Sequence, residues 1–121
     1  MIHESDPDAK CLDGTPPALY LHEGGDDKKF LIFFVGGGYC EGTTLNEVLE
    51  SCYRRSFGDN GSSKDYKDEL VSPGGYLSTD TNRSQFATWT KIIIFYCDGA
   101  HHQGFNKDPI SYKDTTLYFR G

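Results

Sequence analysis

Apolar residues fall in short blocks along an otherwise polar chain. The deepest block is Phe30-Leu31-Ile32-Phe33-Phe34-Val35, which runs straight into Gly36-Gly37-Gly38-Tyr39-Cys40. Its length and its β-branched and aromatic content predict a strand buried on both faces. Lys91-Ile92-Ile93-Ile94-Phe95-Tyr96-Cys97 predicts a second buried strand for the same reason. Ala18-Leu19-Tyr20-Leu21-His22 alternates and predicts a half-buried strand. Gly24-Gly25-Asp26-Asp27 then reads as a hairpin turn, setting residues 30–35 antiparallel to it.

The period changes at Thr44. Leu45, Val48, Leu49 and Cys52 recur at i, i+3, i+4 and i+7, which predicts a helix over residues 44–55. Thr44 and Glu47 fit a capping box at its start. Residues 57–67 are polar and rich in Gly, Ser and Asp, so they read as a loop with at most a helical turn. Gly74-Gly75-Tyr76-Leu77-Ser78 is irregular. Phe86-Ala87-Thr88-Trp89 reads as a turn that delivers Trp89 to the core. Residues 98–114 read as loop, and 115–121 as the start of a helix. Residues 1–10 are polar and are expected to form a disordered lead.

The glycines bring in chemistry. Successive residues without Cβ let a backbone turn sharply and approach a ligand closely. Two such N–H groups at a strand's C-terminal edge can hold a developing negative oxygen. The glycine loop after an early strand of an α/β-hydrolase does this for ester chemistry. A glycine triplet is also a common plain turn.

Composition narrows the partners. The chain has 121 residues, one domain's worth at most, and a net charge of −6. That charge disfavours nucleic acid and anionic membrane, and the 12 basic residues form no stripe. No apolar run approaches the ~20 residues needed to span a bilayer. No signal peptide is visible at the N-terminus. Four cysteines and two sequons, Asn60-Gly61-Ser62 and Asn82-Arg83-Ser84, nonetheless point to a secreted protein.

Four segments occur in order: Cys11-Leu12-Asp13-Gly14-Thr15-Pro16-Pro17-Ala18, Gly36-Gly37-Gly38-Tyr39-Cys40, Tyr96-Cys97-Asp98-Gly99-Ala100 and Leu117-Tyr118-Phe119-Arg120-Gly121. Together they resemble the pectin acetylesterase/Notum family of secreted carboxylesterases, over residues 11–121. The resemblance implies the N-terminal portion of an α/β-hydrolase-like mixed sheet, incomplete and stapled by two disulfides. Four cysteines allow three pairings. A local Cys40–Cys52 bridge is reasonable, leaving Cys11–Cys97, and the resemblance implies the same two pairs. It also implies a Ser-His-Asp triad that removes O-acyl groups, with Gly37 and Gly38 supplying oxyanion-hole N–H groups. Tyr39 takes the place of an aromatic residue beside the substrate pocket, with Gly36 and Asp98.

Three departures from the family pattern matter. Val35 stands where the family usually has Glu, and Tyr39 where the pectin-acetylesterase branch favours Trp. No Gly-x-Ser-x-Gly nucleophile elbow occurs in the chain. Residues 11–121 are therefore expected to be a partial domain, truncated before the elbow and inactive alone.

The remaining features have plainer readings. His101 and His102 are adjacent and lack ligands at zinc spacing, so no metal is expected and they read as loop residues at the pocket rim. In this fold the triad acid follows the nucleophile, so Asp98 is read as a turn former. Asp6, Asp8, Asp26, Asp27 and Asp65 lack a calcium-loop spacing. Phe86 and Trp89 read as core plugs rather than a sugar platform. No cofactor is expected.

Three functions follow. The first is a serine carboxylesterase, seen in part, whose partner is an acylated polysaccharide or acylated protein and whose parent is monomeric. The second is a non-catalytic secreted module that binds acylated glycan or lipid. The third is a product without a stable fold, poorly soluble because its apolar strands lie open.

Overall fold

The computed structural model describes residues 2–3, 6–71 and 74–121. A four-stranded mixed sheet has the spatial order β1-β2-β4-β3. The strands are β1 (Ile2–His3), β2 (Ala18–His22), β3 (Asp26–Phe34) and β4 (Trp89–Ile94). The helix α1 (Leu45–Arg55) lies between β3 and β4 in the chain. A hairpin of β5 (Ile110–Tyr112) and β6 (Thr115–Leu117) follows.

The isoleucine-rich β4 is the spine of the sheet. It pairs antiparallel with β2, placing Leu19 opposite Ile94 and Leu21 opposite Ile92. It pairs parallel with β3, placing Ile32 opposite Ile92 and Phe34 opposite Ile94. The expected β2–β3 hairpin does not form. Gly24 and Asp26 instead dock on the start of β4, through Gly24 N–H to Thr90 Oγ1 at 3.1 Å and Asp26 N–H to the Thr88 carbonyl at 3.2 Å. The long connection from β3 to β4 permits the parallel pairing, which no tight turn could.

Nor is β3 buried on both faces. Phe30, Ile32 and Phe34 are 53, 55 and 57 % exposed, because β3 is the sheet's edge among the described residues. Tyr20, Ile93 and Tyr96 are buried in its place.

The helix matches its expected span. Thr44 accepts from Glu47 N–H, and the Glu47 carboxylate accepts from Thr44 N–H at 3.1 Å, completing the capping box. Leu49 and Cys52 are buried against Leu12 and Leu117, whereas Leu45 remains exposed. The helix expected over 115–121 is absent. Thr115 and Thr116 are β-branched and favour a strand. Lys113 takes a φ of 52° in the turn, and β6 pairs with β5. Trp89 and Phe86 are half-buried at the head of β4 rather than in the core, with ring centroids 4.9 Å apart.

Residues 2–3 of the lead pair with Leu19 and Ala18 of β2, and Lys10 bridges to Arg120. Residues 1, 4 and 5 of that lead lie outside the described residues.

Two disulfides staple the frame, Cys11–Cys97 and Cys40–Cys52, as the resemblance implied. Their sequence separations are 86 and 12 residues. Closing loops of that size stabilises the fold by about 4.5 and about 3 kcal/mol in the chain-entropy account.

Candidate functional site: the glycine loop

The loop Gly36-Gly37-Gly38-Tyr39-Cys40 leaves the C-terminal end of β3, where open α/β sheets bind ligands. Four hydrogen bonds and a disulfide hold it. Val35 N–H donates to the Ile94 carbonyl at 2.9 Å, continuing the sheet by one residue. The Val35 carbonyl lies 3.1 Å from His102 Nε2. Arg55 Nη1 donates to the Gly37 carbonyl at 2.7 Å. Cys40 N–H donates to the Gly99 carbonyl at 2.9 Å, and its sulfur is tied to Cys52 of α1.

Glycine is required at two of these positions. Gly38 has a φ of 77°, in the left-handed region that side chains avoid. A Cβ there would lie 2.7 Å from Arg55 Nη2. A Cβ on Gly37 would lie 2.5 Å from Asn60 Oδ1 and 2.7 Å from the Tyr96 ring. The loop is therefore packed from one side while Gly36, Gly38 and Tyr39 stay exposed. Among the described residues, the N–H groups of Gly36, Gly37, Gly38 and Tyr39 donate no hydrogen bond. Fixed donors left open to solvent suit an anionic oxygen.

The segment after β4 packs against the loop. Asp98 is 3 % exposed, and its Oδ1 accepts from His102 N–H at 3.2 Å, as a turn former would. Its Oδ2 has no hydrogen-bond partner among the described residues and occupies the space that a Cβ on Gly121 would need. Asp98 is thus buried within the turn that follows β4. His101 and His102 have φ of 60° and 59°, so the chain folds back over the glycine loop. The His102 ring sits 5.3 Å from Phe34 and 5.0 Å from Tyr96, and His101 packs edge-on to Tyr39 at 4.9 Å. Burial raises the Tyr96 hydroxyl above its ordinary value. That hydroxyl accepts from His101 N–H at 3.4 Å.

A cavity of about 580 Å³ opens on the α1 side of the loop, with Glu41, Glu47, Glu50, Arg54, Arg55 and Asn60 in its lining. Asn60 and Asn82 are both exposed, whereas their sequon serines are buried. Ser62 accepts from Lys64 N–H, and Ser84 donates to the Tyr76 carbonyl.

The structure thus brings Gly36, Gly37, Gly38 and Tyr39 together with the Asp98 segment. Sequence reasoning missed Arg55 and the role of His102. For Arg55 a signal existed: it lies one turn beyond Cys52, whose bridge to Cys40 draws that end of α1 onto the loop.

Comparisons with known proteins agree on the framework. A family model described as Pectinacetylesterase matches residues 1–121. The chain is 34 % identical over 116 residues to pectin acetylesterase 5 of Arabidopsis thaliana, covering 93 % of this chain and 25 % of that protein. It is 32 % identical over 115 residues to pectin acetylesterase 4, covering 93 % and 26 %. The fold superposes on a Drosophila structure described as the Wnt deacylase Notum with a TM-score of 0.80. That match has 21 % identity and covers 98 % of this chain and 33 % of the other. The chain belongs to the pectinacetylesterase family. It spans about a quarter of the length of the curated relatives it matches.

Proposed function

We propose that this chain forms the oxyanion-binding wall of a secreted serine carboxylesterase that removes O-acyl groups. The observation that carries the reading is the set of N–H groups from Gly36 to Tyr39 that donate no hydrogen bond among the described residues, on a loop packed from one side. In this reading a serine supplied by other sequence attacks the ester carbonyl. The Gly37 and Gly38 N–H groups, with the N–H after that serine, hold the tetrahedral oxyanion. Tyr39, beside Gly36, contributes an aromatic wall for the acyl carrier. Names of the relatives support two substrate classes, an acetylated pectin-like polysaccharide or an acylated protein. Two disulfides support secretion.

The test is acetate release from acetylated pectin by the full natural product that carries this segment, alongside labelling by a serine-directed fluorophosphonate. Turnover that is lost on labelling is the expected result. A full product that neither releases acetate nor takes the label overturns the reading. That result would favour the second reading, a non-catalytic binder of acylated glycan or lipid.

A further inference from the structure

We propose that Arg55 is a positioning residue that sets the polarity of the oxyanion loop; the inference rests on the esterase reading above. Arg55 closes α1, and its Nη1 donates to the Gly37 carbonyl at 2.7 Å. The described residues contain no cis peptide bond, so the Gly37–Gly38 peptide is trans. In a trans peptide the C=O and the following N–H point in opposite directions from one plane. Holding the Gly37 oxygen against the guanidinium therefore turns the Gly38 N–H to the opposite, exposed side of the loop.

That plane needs an external anchor. Residues without Cβ flank it on both sides, so rotation about its neighbouring φ and ψ meets little steric resistance. A flipped plane would present the Gly37 oxygen where the Gly38 N–H should be, and would repel a developing oxyanion. Arg55 is suited to prevent the flip. Among the described residues it makes no ion pair, since Glu50 is taken by Arg54 at 3.1 Å and by Lys113 at 2.5 Å. Among the described residues its guanidinium donates to the Gly37 carbonyl alone. A charged donor to a neutral carbonyl is among the stronger hydrogen bonds available. The Cys40–Cys52 bridge fixes the helix that carries it to the loop it serves.

The guanidinium acts through Gly37 and does not touch substrate. Removing it should therefore change turnover more than binding. In the full natural product, Arg55→Met is expected to lower kcat by about 10- to 100-fold, up to the loss seen for a missing oxyanion donor, with KM changed less than about threefold. Arg55→Lys keeps a charged donor on a shorter fork and should recover part of that loss. Guanidinium chloride at low millimolar concentration should restore turnover to Arg55→Ala. An Arg55→Met product with wild-type kcat overturns the role, as does a loss that neither the Lys variant nor guanidinium relieves. A wild-type product without esterase activity would instead remove the reading beneath the role, and the role with it.

Discussion

The Nε2 of His102 lies 3.1 Å from the carbonyl of Val35, joining residues 67 apart in the chain. The contact clasps the loop after β4 to the end of β3, where the glycines begin. It also fixes the first peptide plane of the glycine loop. Because the Val35 carbonyl faces His102, the Gly36 N–H faces away. His102→Ala should cost about 1 kcal/mol, typical of one hydrogen bond. It should also lower the backbone amide order parameters of Gly36, Gly37 and Gly38 in the full product. Unchanged order parameters at those amides would show that the clasp does not order the loop.

Glycine substitutions should divide sharply by position. Gly38→Ala places a side chain at a φ of 77° and crowds Arg55 Nη2, so it should destabilise by about 1–2 kcal/mol. Gly58→Ala meets open space and serves as the neutral control. Urea unfolding of the full product reads both. Equal midpoints for the two variants would refute the strain assigned to Gly38.

The outer face of α1 carries a charge cluster with its own pH signature. Hydrogen bonds from Lys113, then Arg54, lower the Glu50 carboxylate from its ordinary 4.5 to about 2. Tyr112 adds a third hydrogen bond, 3.0 Å from Glu50 Oε2. A carboxylate with a lowered folded pKa stabilises the fold fully above its unfolded value. That stability should fade as pH falls from near 4.5 through about 2. Glu50→Gln should flatten this part of the stability profile, read as unfolding midpoint against pH. A variant with the same acid slope as wild type would place the titration elsewhere.

The open edge of the sheet predicts behaviour of the segment in isolation. Phe30, Ile32 and Phe34 line a strand exposed beyond half on its apolar side chains. Residues 1–121 alone should bind a hydrophobic dye strongly and unfold without a sharp transition. A monomeric segment with a cooperative melt and no dye binding would contradict this.

Local rules read well wherever the signal was local. Thr44 and Glu47 announced the start of α1, and Ala18 to His22 alternated as the strand they form. The glycine loop is legible because its backbone needs residues without Cβ, Gly38 at a φ of 77° above all. Non-local pairing is not. Gly24-Gly25 looks like a hairpin until β4, more than sixty residues on, takes both neighbours. A run of apolar residues such as β3 shows that a strand can be buried, not that a neighbour covers it, and β3 lies at the sheet's edge among the described residues. Thr115 to Leu117 reads as the start of a helix because its partner, Ile110 to Tyr112, carries no strand signal alone. His102 is hidden for the same reason: it acts on a carbonyl 67 residues away, and a backbone oxygen has no residue-type signature.

The central claim is that Gly37 and Gly38 present N–H groups to a reacting oxygen. The most direct measurement is a structure of the full product carrying a covalent phosphonate, an analogue of the tetrahedral intermediate. The account predicts a phosphonate oxygen within about 3 Å of both the Gly37 and Gly38 nitrogens, on the side away from Arg55. An oxygen held by other donors, with both glycine N–H groups left facing solvent, would contradict it.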